Sequence, residues 1–206
     1  MQPLTLDSMR PPQLILASAS PRRADLLRVL GLRFEVVASD APEWEDESLT
    51  AWEVAQLNAY RKARVVAKRF PDRWVLGSDT VVCLGTQLLG KPADVEEAES
   101  MLSRLQGRAH EVVTGVCLLR QRGHQQRLFA ETTRVTFLPL SAAAIHSYVA
   151  RVSCLDKAGA YAIQDQGGLI ISSIEGSFSN VVGLPLEALS NALRSVGLWD
   201  GSEVVE

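Results

Sequence analysis

Apolar positions along the chain switch repeatedly between two spacings. Leu14-Ile15-Leu16 is a short continuous run of the kind a buried strand needs, whereas Leu26, Leu27 and Leu30 fall at helical spacing. Ser20 is placed as the N-cap of that helix, Pro21 as its first residue and Gly31 as its C′ stop. The segments "LILAS" and "FEVVAS" flank it as strands. Thr50-Ala51-Trp52-Glu53 is a capping box that opens a long helix running towards Phe70. "WVLGSDTVVCLG" reads as one or two buried strands. Asp94 and Glu97 form a second capping box, followed by Val95, Ala98, Met101, Leu102 and Leu105, with Gly107 as terminator. "EVVTGVCLLRQ" and "RLFAETTRVTFLPL" predict two long strands joined in a hairpin at "RGHQ". Ser141 caps a short helix through Tyr148 and Val149, and "AYAIQ" and "GLIISSIEG" read as a further strand pair. "GLPLEALSNALRSVG" closes the chain as a helix, with Pro185 near its start and Gly197 at its end. The pattern is α/β: helices packed on a central, extended, mixed sheet, parallel near the N-terminus and antiparallel in the long middle hairpin.

Composition narrows the class. At 206 residues the chain can bury a sizeable core, as one large domain or as two small lobes around one sheet. Residues 1–12 read as a flexible tail, and 13–206 as one domain. The start of the chain lacks the pattern of a signal peptide, and no apolar run reaches the length of a membrane span. A formal charge of −3 argues against a general nucleic-acid binder, as does the lack of basic stretches interleaved with aromatics. Cys83, Cys117 and Cys154 show no zinc or disulfide spacing and read as small buried residues in a reducing cytoplasm. His110, His124 and His146 form no cluster, so a transition-metal site is not expected.

Several charged residues sit where packing disfavours them. Arg22 and Arg23 occupy the first turn of a helix, where the macrodipole is already positive; each cation there costs roughly 0.3–1 kcal/mol unless an anion neutralises it. Asp79 lies in a nearly apolar strand segment, as a turn cap after Gly77 or as a carboxylate at a strand's C-terminal end, where open α/β sheets place ligands. Lys62 shares a helical row with Ala55, Ala59 and Val66, and either snorkels or aims into a cleft. Lys91, in "LLGKP", is a loop lysine, and Glu43 belongs to an acidic loop. Together, Arg22, Arg23, Lys62 and Lys91 supply cations while Glu43 and Asp79 supply carboxylates, a set suited to a phosphate chain carrying a hard divalent metal. A helix N-terminus that binds anions resolves the misplaced arginines. No GxxxxGK[ST] loop is present, which excludes a P-loop NTPase.

"LILASASPRRADLL", "LGSDTVV", "LLGKP", "MLSRLQGRAHEVVTGV", "LDKAGAYAIQ" and "NVVGLP" occur in that order over nearly the whole chain. Together they resemble the Maf family of nucleoside triphosphate pyrophosphatases. The resemblance implies a fold like that of the inosine triphosphate pyrophosphatases, with two lobes around a cleft and usually a homodimer. It implies hydrolysis of a nucleoside triphosphate to the monophosphate and pyrophosphate with a divalent cation, Mg²⁺ or Mn²⁺. Carried onto this sequence, it makes Asp79 the catalytic proton acceptor, with Glu43 and Asp79 holding the metal. Ser18, Arg22, Arg23, Lys62 and Lys91 then line the phosphates, and Arg22, Thr80 and Gln164 set the base. That trio resembles the branch acting on dTTP and UTP rather than the branch acting on 7-methyl-GTP. Ser78, the "SCLDKAG" run and Phe178 depart from the usual pattern, the first of them at a position that bears on base choice. The family is also linked to arrest of septum formation in bacteria, so a non-catalytic nucleotide-binding regulator is the competing reading, and only the enzyme needs Asp79.

Overall fold

The computed structural model describes residues 13–44 and 48–201; the tail expected over residues 1–12 lies outside the described residues. In chain order the elements are β1 (Leu14–Leu16), α1 (Pro21–Arg28), β2 (Phe34–Val36), α2 (Ala51–Arg69), β3 (Trp74–Leu84), β4 (Gln87–Leu89) and α3 (Val95–Leu105). β5 (Ala109–Arg120), β6 (Gln125–Phe137), α4 (Ala142–Val149), β7 (Ile171–Glu175), α5 (Phe178–Val182) and α6 (Leu186–Ser195) follow. The strands form a seven-stranded mixed sheet in the order β2-β1-β3-β5-β6-β7, with β4 paired to β3. β1 runs parallel to β2 and β3, and the remaining pairs are antiparallel.

This topology opens a notch. β1 covers β3 only from Trp74 to Leu76, because the chain turns away at Ala17 after its N–H bonds to the Leu76 carbonyl at 2.8 Å. β4 covers β3 again only from Val82 to Leu84. Between them, one edge of β3 is left without a paired strand among the described residues, while β5 covers the opposite edge from Val75 to Cys83. The notch lies at the carboxyl end of β1, where the strand order reverses, which is where open α/β sheets place ligands.

The helices pack on both faces. Leu27 of α1 and Leu189 and Leu193 of α6 share a core with Leu14, Leu16, Leu76, Val116 and Leu118. On the other face, Ala59, Ala63, Val66 and Ala67 of α2 meet Ile15, Val75, Cys117 and Leu119. α2 lies unusually close to the sheet. A Cβ on Gly115 would stand 2.2 Å from the Ala55 carbonyl oxygen, and one on Gly77 2.2 Å from that of Ala59. A third core, built by Leu102 and Leu105 of α3, Ile145 and Tyr148 of α4, and Val82, Val112 and Phe137 of the sheet, fills the far end.

The capping box at Thr50 forms in full: Glu53 N–H donates to Thr50 Oγ1 at 3.3 Å, and Thr50 N–H donates to Glu53 Oε2 at 2.8 Å. The second box forms by half. Asp94 accepts from Glu97 N–H, but the Glu97 side chain accepts from Ala93 rather than from the cap residue. "WVLGSDTVVCLG" gives one continuous strand, β3, and the hairpin turn spans residues 121–124, one position earlier than expected. The strand expected at "AYAIQ" is absent: positive φ at Gly159 and Ala160 folds the chain into a 3₁₀ turn, followed by a loop. Among the described residues β7 therefore pairs with β6 alone. Ser20 occupies the N-cap of α1 but makes no side-chain cap bond. Pro185 takes the N-cap of α6, and a further short helix, α5, precedes it where the sequence pattern predicts no element. All three cysteines are buried thiols.

Candidate active site

A cavity of about 570 Å³ fills the notch. Ser18, Arg22, Arg23, Glu43, Lys62, Asp79, Thr80, Lys91 and Gln164, the residues singled out from the sequence, all line it. They arrive from separate places. Ser18 and the two arginines come from the end of β1 and the first turn of α1, Lys62 from α2, Asp79 and Thr80 from β3, and Glu43, Lys91 and Gln164 from loops.

Asp79 is neither a turn cap nor a strand end. It sits mid-strand, 4% exposed, opposite Gly115 of β5. Its Oδ1 accepts from Lys62 Nζ at 2.6 Å and its Oδ2 from Asn58 Nδ2 at 3.0 Å. Lys62 does not snorkel to solvent. Its side chain is 12% exposed and its ammonium also donates to Glu43 Oε1 at 2.9 Å. Lys91 closes the chain of charges, donating to Glu43 Oε1 and Oε2 at 2.9 and 2.8 Å. Burial pushes the Glu43 carboxyl up, but hydrogen bonds from Lys91 and Lys62, together with their charges, outweigh it and bring the pKa down to about 2.

The opposite face of β3 carries the second polar group. Alternation along the strand sends Thr80 away from α2, towards α1 and α5. Thr80 Oγ1 accepts from Arg23 Nη2 at 3.1 Å and meets Thr114 Oγ1, its cross-strand partner, at 3.0 Å; Thr114 in turn donates to the Asn180 carbonyl. Arg23 also donates to the Gly183 carbonyl at 2.9 Å, and Ser78 donates to that same oxygen at 3.0 Å. Burial lowers the Arg23 pKa, and Asp79 and Glu43 act against that shift; a guanidinium keeps its charge regardless. Ser18 Oγ accepts from Ser20 N–H at 3.2 Å. Arg22 reaches across the mouth to Asp156 at 3.3 Å. Both faces of β3 thus feed one cavity because its edge is open there.

Asn58, Asp156, Lys157 and Thr114 were not picked out from the sequence. Asp156 and Lys157 line the cavity within the "LDKAGAY" run, and Lys157 is bound to Asp156 at 2.7 Å and to the Ser153 carbonyl. The one legible hint for Asn58 was an amide four residues before Lys62, inside a stripe of alanines.

The donor set fits a hard divalent cation. Glu43 and Asp79 both lie within hydrogen-bond reach of the single Lys62 ammonium, so a positive charge is already accommodated between them. Two carboxylates with room for phosphate oxygens and water match the habit of Mg²⁺. No cluster of three or more His, Cys, Asp and Glu residues exists among the described residues.

A family model described as Maf-like protein matches residues 13–196. Proteins named dTTP/UTP pyrophosphatase are similar over most of their length. The one from Myxococcus xanthus is 49% identical over 185 residues, covering 90% of this chain and 93% of that protein. The one from Symbiobacterium thermophilum is 46% identical, covering 90% and 94%, and that from Bacillus velezensis is 43% identical, covering 90% and 97%.

Proposed function

Because the chain belongs to the family of Maf-like proteins, we propose that it hydrolyses dTTP and UTP to the monophosphate and pyrophosphate, using the cavity at the β3 notch. The observation that carries this reading is the convergence of Arg22, Arg23, Lys62 and Lys91 over Asp79 and Glu43. A triphosphate brings several negative charges into a partly enclosed cleft, and only a matching set of cations can hold it there.

The uncapped first turn of α1 offers backbone N–H groups and a positive dipole end, which Arg22 and Arg23 reinforce. Arg23 is already fixed by Thr80 and Gly183, so it binds with little further ordering. Lys62 and Lys91 sit on flexible stems and can move from the carboxylates to phosphate oxygens when substrate enters. Asp79 then takes a proton from the water that attacks the α-phosphorus, and the bond from that phosphorus to the bridging oxygen breaks as pyrophosphate leaves on the side opposite the attacking water. General-base help of this kind contributes about 10²–10⁴ in rate, with charge stabilisation and in-line positioning supplying most of the rest. Glu43 and Asp79 are the residues that would hold a divalent cation, Mg²⁺ or Mn²⁺, which neutralises phosphate charge when bound. Gln164, exposed on the rim, has an amide that can both donate to and accept from the edge of a uracil or thymine ring.

Among the described residues no helix is long and apolar enough to cross a membrane. Together with the buried thiols, this supports a cytoplasmic enzyme, which we place in a homodimer by family likeness. The test is a steady-state panel of nucleoside triphosphates with Mg²⁺ and Mn²⁺, run on wild type and Asp79→Asn. Pyrophosphate release from dTTP and UTP should exceed that from purine and 7-methyl-GTP substrates, and Asp79→Asn should lose at least a hundredfold in kcat. Near wild-type turnover by Asp79→Asn sinks the assignment of the base; equal turnover of 7-methyl-GTP sinks the base preference.

A further inference from the structure

Asn58 lies one helical turn before Lys62 on α2, so the two side chains stand on one face, over Asp79. Asn58 is 2% exposed. Among the described residues its side chain makes three hydrogen bonds, all to the two segments that carry the carboxylates. Nδ2 donates to Asp79 Oδ2 at 3.0 Å and to the Trp44 carbonyl at 3.1 Å, and Oδ1 accepts from Trp44 N–H at 2.8 Å. Trp44 directly follows Glu43. One buried amide therefore ties the β3 carboxylate to the backbone beside the loop carboxylate.

The two restraints on Asp79 differ in kind. Lys62 holds Oδ1 through an ammonium that it shares with Glu43 and that a triphosphate will attract away. Asn58 holds Oδ2 through a short, neutral side chain packed out of solvent, with no reason to leave when an anion arrives. Resting on the reading of Asp79 as the base, we infer that Asn58 is a positioning residue. It keeps the Asp79 carboxylate aimed, and the Glu43 loop in register with it, after the lysines have turned to the substrate.

The experiment is a double-mutant cycle on kcat for UTP with Mg²⁺, combining Asn58→Leu, of similar volume, with Asp79→Asn. Asn58→Leu alone should lower kcat about tenfold, as loss of a hydrogen bond to a charged group does, while KM changes by less than about twofold. In the Asp79→Asn background the same substitution should cost nothing further, because the group it acts through is already gone. Asn58→Ala is the second variant if Asn58→Leu does not fold. It removes the donor to Asp79 without adding bulk or charge, and the same non-additivity is expected of it. An equal loss in both backgrounds, a loss confined to KM, or a wild-type kcat for the Asn58 variant beside an inactive Asp79→Asn overturns the positioning role alone. An Asp79→Asn enzyme with wild-type kcat overturns the role of Asp79, and the positioning role with it.

Discussion

Gly115→Ala adds a single methyl group directly opposite Asp79. Its Cβ would stand 2.2 Å from the Ala55 oxygen, 2.3 Å from the Ala55 carbonyl carbon and 2.6 Å from Gln56 N. Ordinary contacts between such atoms are roughly 3.5–4.0 Å, so one element must retreat by more than ~1 Å. All three obstructing atoms are backbone, so no rotamer change relieves the clash and α2 itself must lift. Overpacking of this kind costs about 1–3 kcal/mol, and the absence of a flexible neighbour puts this site near ~3. In a chain of this size each kcal/mol is worth about 2–4 °C, so Tm should fall by roughly 6–12 °C. The same lift lengthens the 3.0 Å Asn58 and 2.6 Å Lys62 contacts to Asp79. A misplacement of about 1 Å can cost 10²-fold in rate, so kcat for UTP should drop by roughly 10–100-fold in protein that is still folded. Gly85→Ala is the control. Its φ of +63° strains the alanine by about 1 kcal/mol, but nothing lies within 4 Å of the added atom, so Tm should fall only a few degrees and kcat should hold. The assays are a thermal melt and pyrophosphate release at a temperature below both transitions. A Gly115→Ala protein that melts within 2 °C of wild type, estimated against roughly 2–4 °C per kcal/mol, and keeps its kcat refutes the close seating of α2.

Three further outcomes can be checked separately. Burial lowers the His110 pKa to about 4, below the ~6.5 of an unfolded histidine, so the unfolded chain takes up the extra proton and stability falls as pH drops from about 6.5 towards 4. Urea titrations of wild type should lose about 2 kcal/mol between pH 7.5 and 5 from this group, and those of His110→Gln should show correspondingly less pH dependence. Asp156→Asn releases Arg22 from a half-exposed pair worth ~0.2–1 kcal/mol, so KM for UTP should fall by up to about fivefold, while Tm should drop because the buried Lys157 ammonium loses its carboxylate partner too; a raised KM shows instead that Asp156 aims Arg22 at the substrate. Thr50→Ala removes the N-cap acceptor of α2 and should cost about 1 kcal/mol, read as roughly 2–4 °C in Tm, with kcat intact because the cap lies two turns from Asn58.

Local chemistry made part of this molecule legible in its sequence. The Thr50 box and the two long middle strands each involve residues close in sequence, and each forms as read, whereas Gly31 takes its positive φ two positions past the C-cap Val29, one later than expected. Arg22, Arg23 and Asp79 stood out because a cation at a helix N-terminus and a carboxylate in a strand are costly without partners, and the structure supplies the carboxylate's partners at 2.6 and 3.0 Å. What stayed hidden is non-local. "AYAIQ" has the apolar run of a short buried strand, but that run does not reveal that Gly159 packs against Val82 with φ +70°, which turns the chain into a 3₁₀ turn instead. Asn58 gave little signal because an amide in a helix is unremarkable until its neighbours across space are known. The register that sets Gly115 opposite Asp79 depends on how β3 and β5 slide into place, and no local residue pattern encodes it.

That register links the economy of the fold to its chemistry. A lysine can reach a strand from a helix seated at an ordinary distance; an asparagine cannot. The Asn58–Asp79 bond therefore requires α2 to sit low, and it sits low only because alanines at positions 55, 59 and 63 face glycines at 77 and 115. Glycine in a strand interior costs roughly 0.5–1 kcal/mol relative to alanine, and here alanine at either position would clash with helix backbone. The two glycines therefore weaken β3 and β5 beside the notch, where β1 and β4 have already withdrawn their support. A sheet optimised for stability alone would fill these positions. The site instead takes its geometry from an edge left open on one side of β3 and a helix pressed down on the face that β3 shares with β5, so substitutions that tighten this region for stability should tend to lift the helix and loosen the carboxylate it holds.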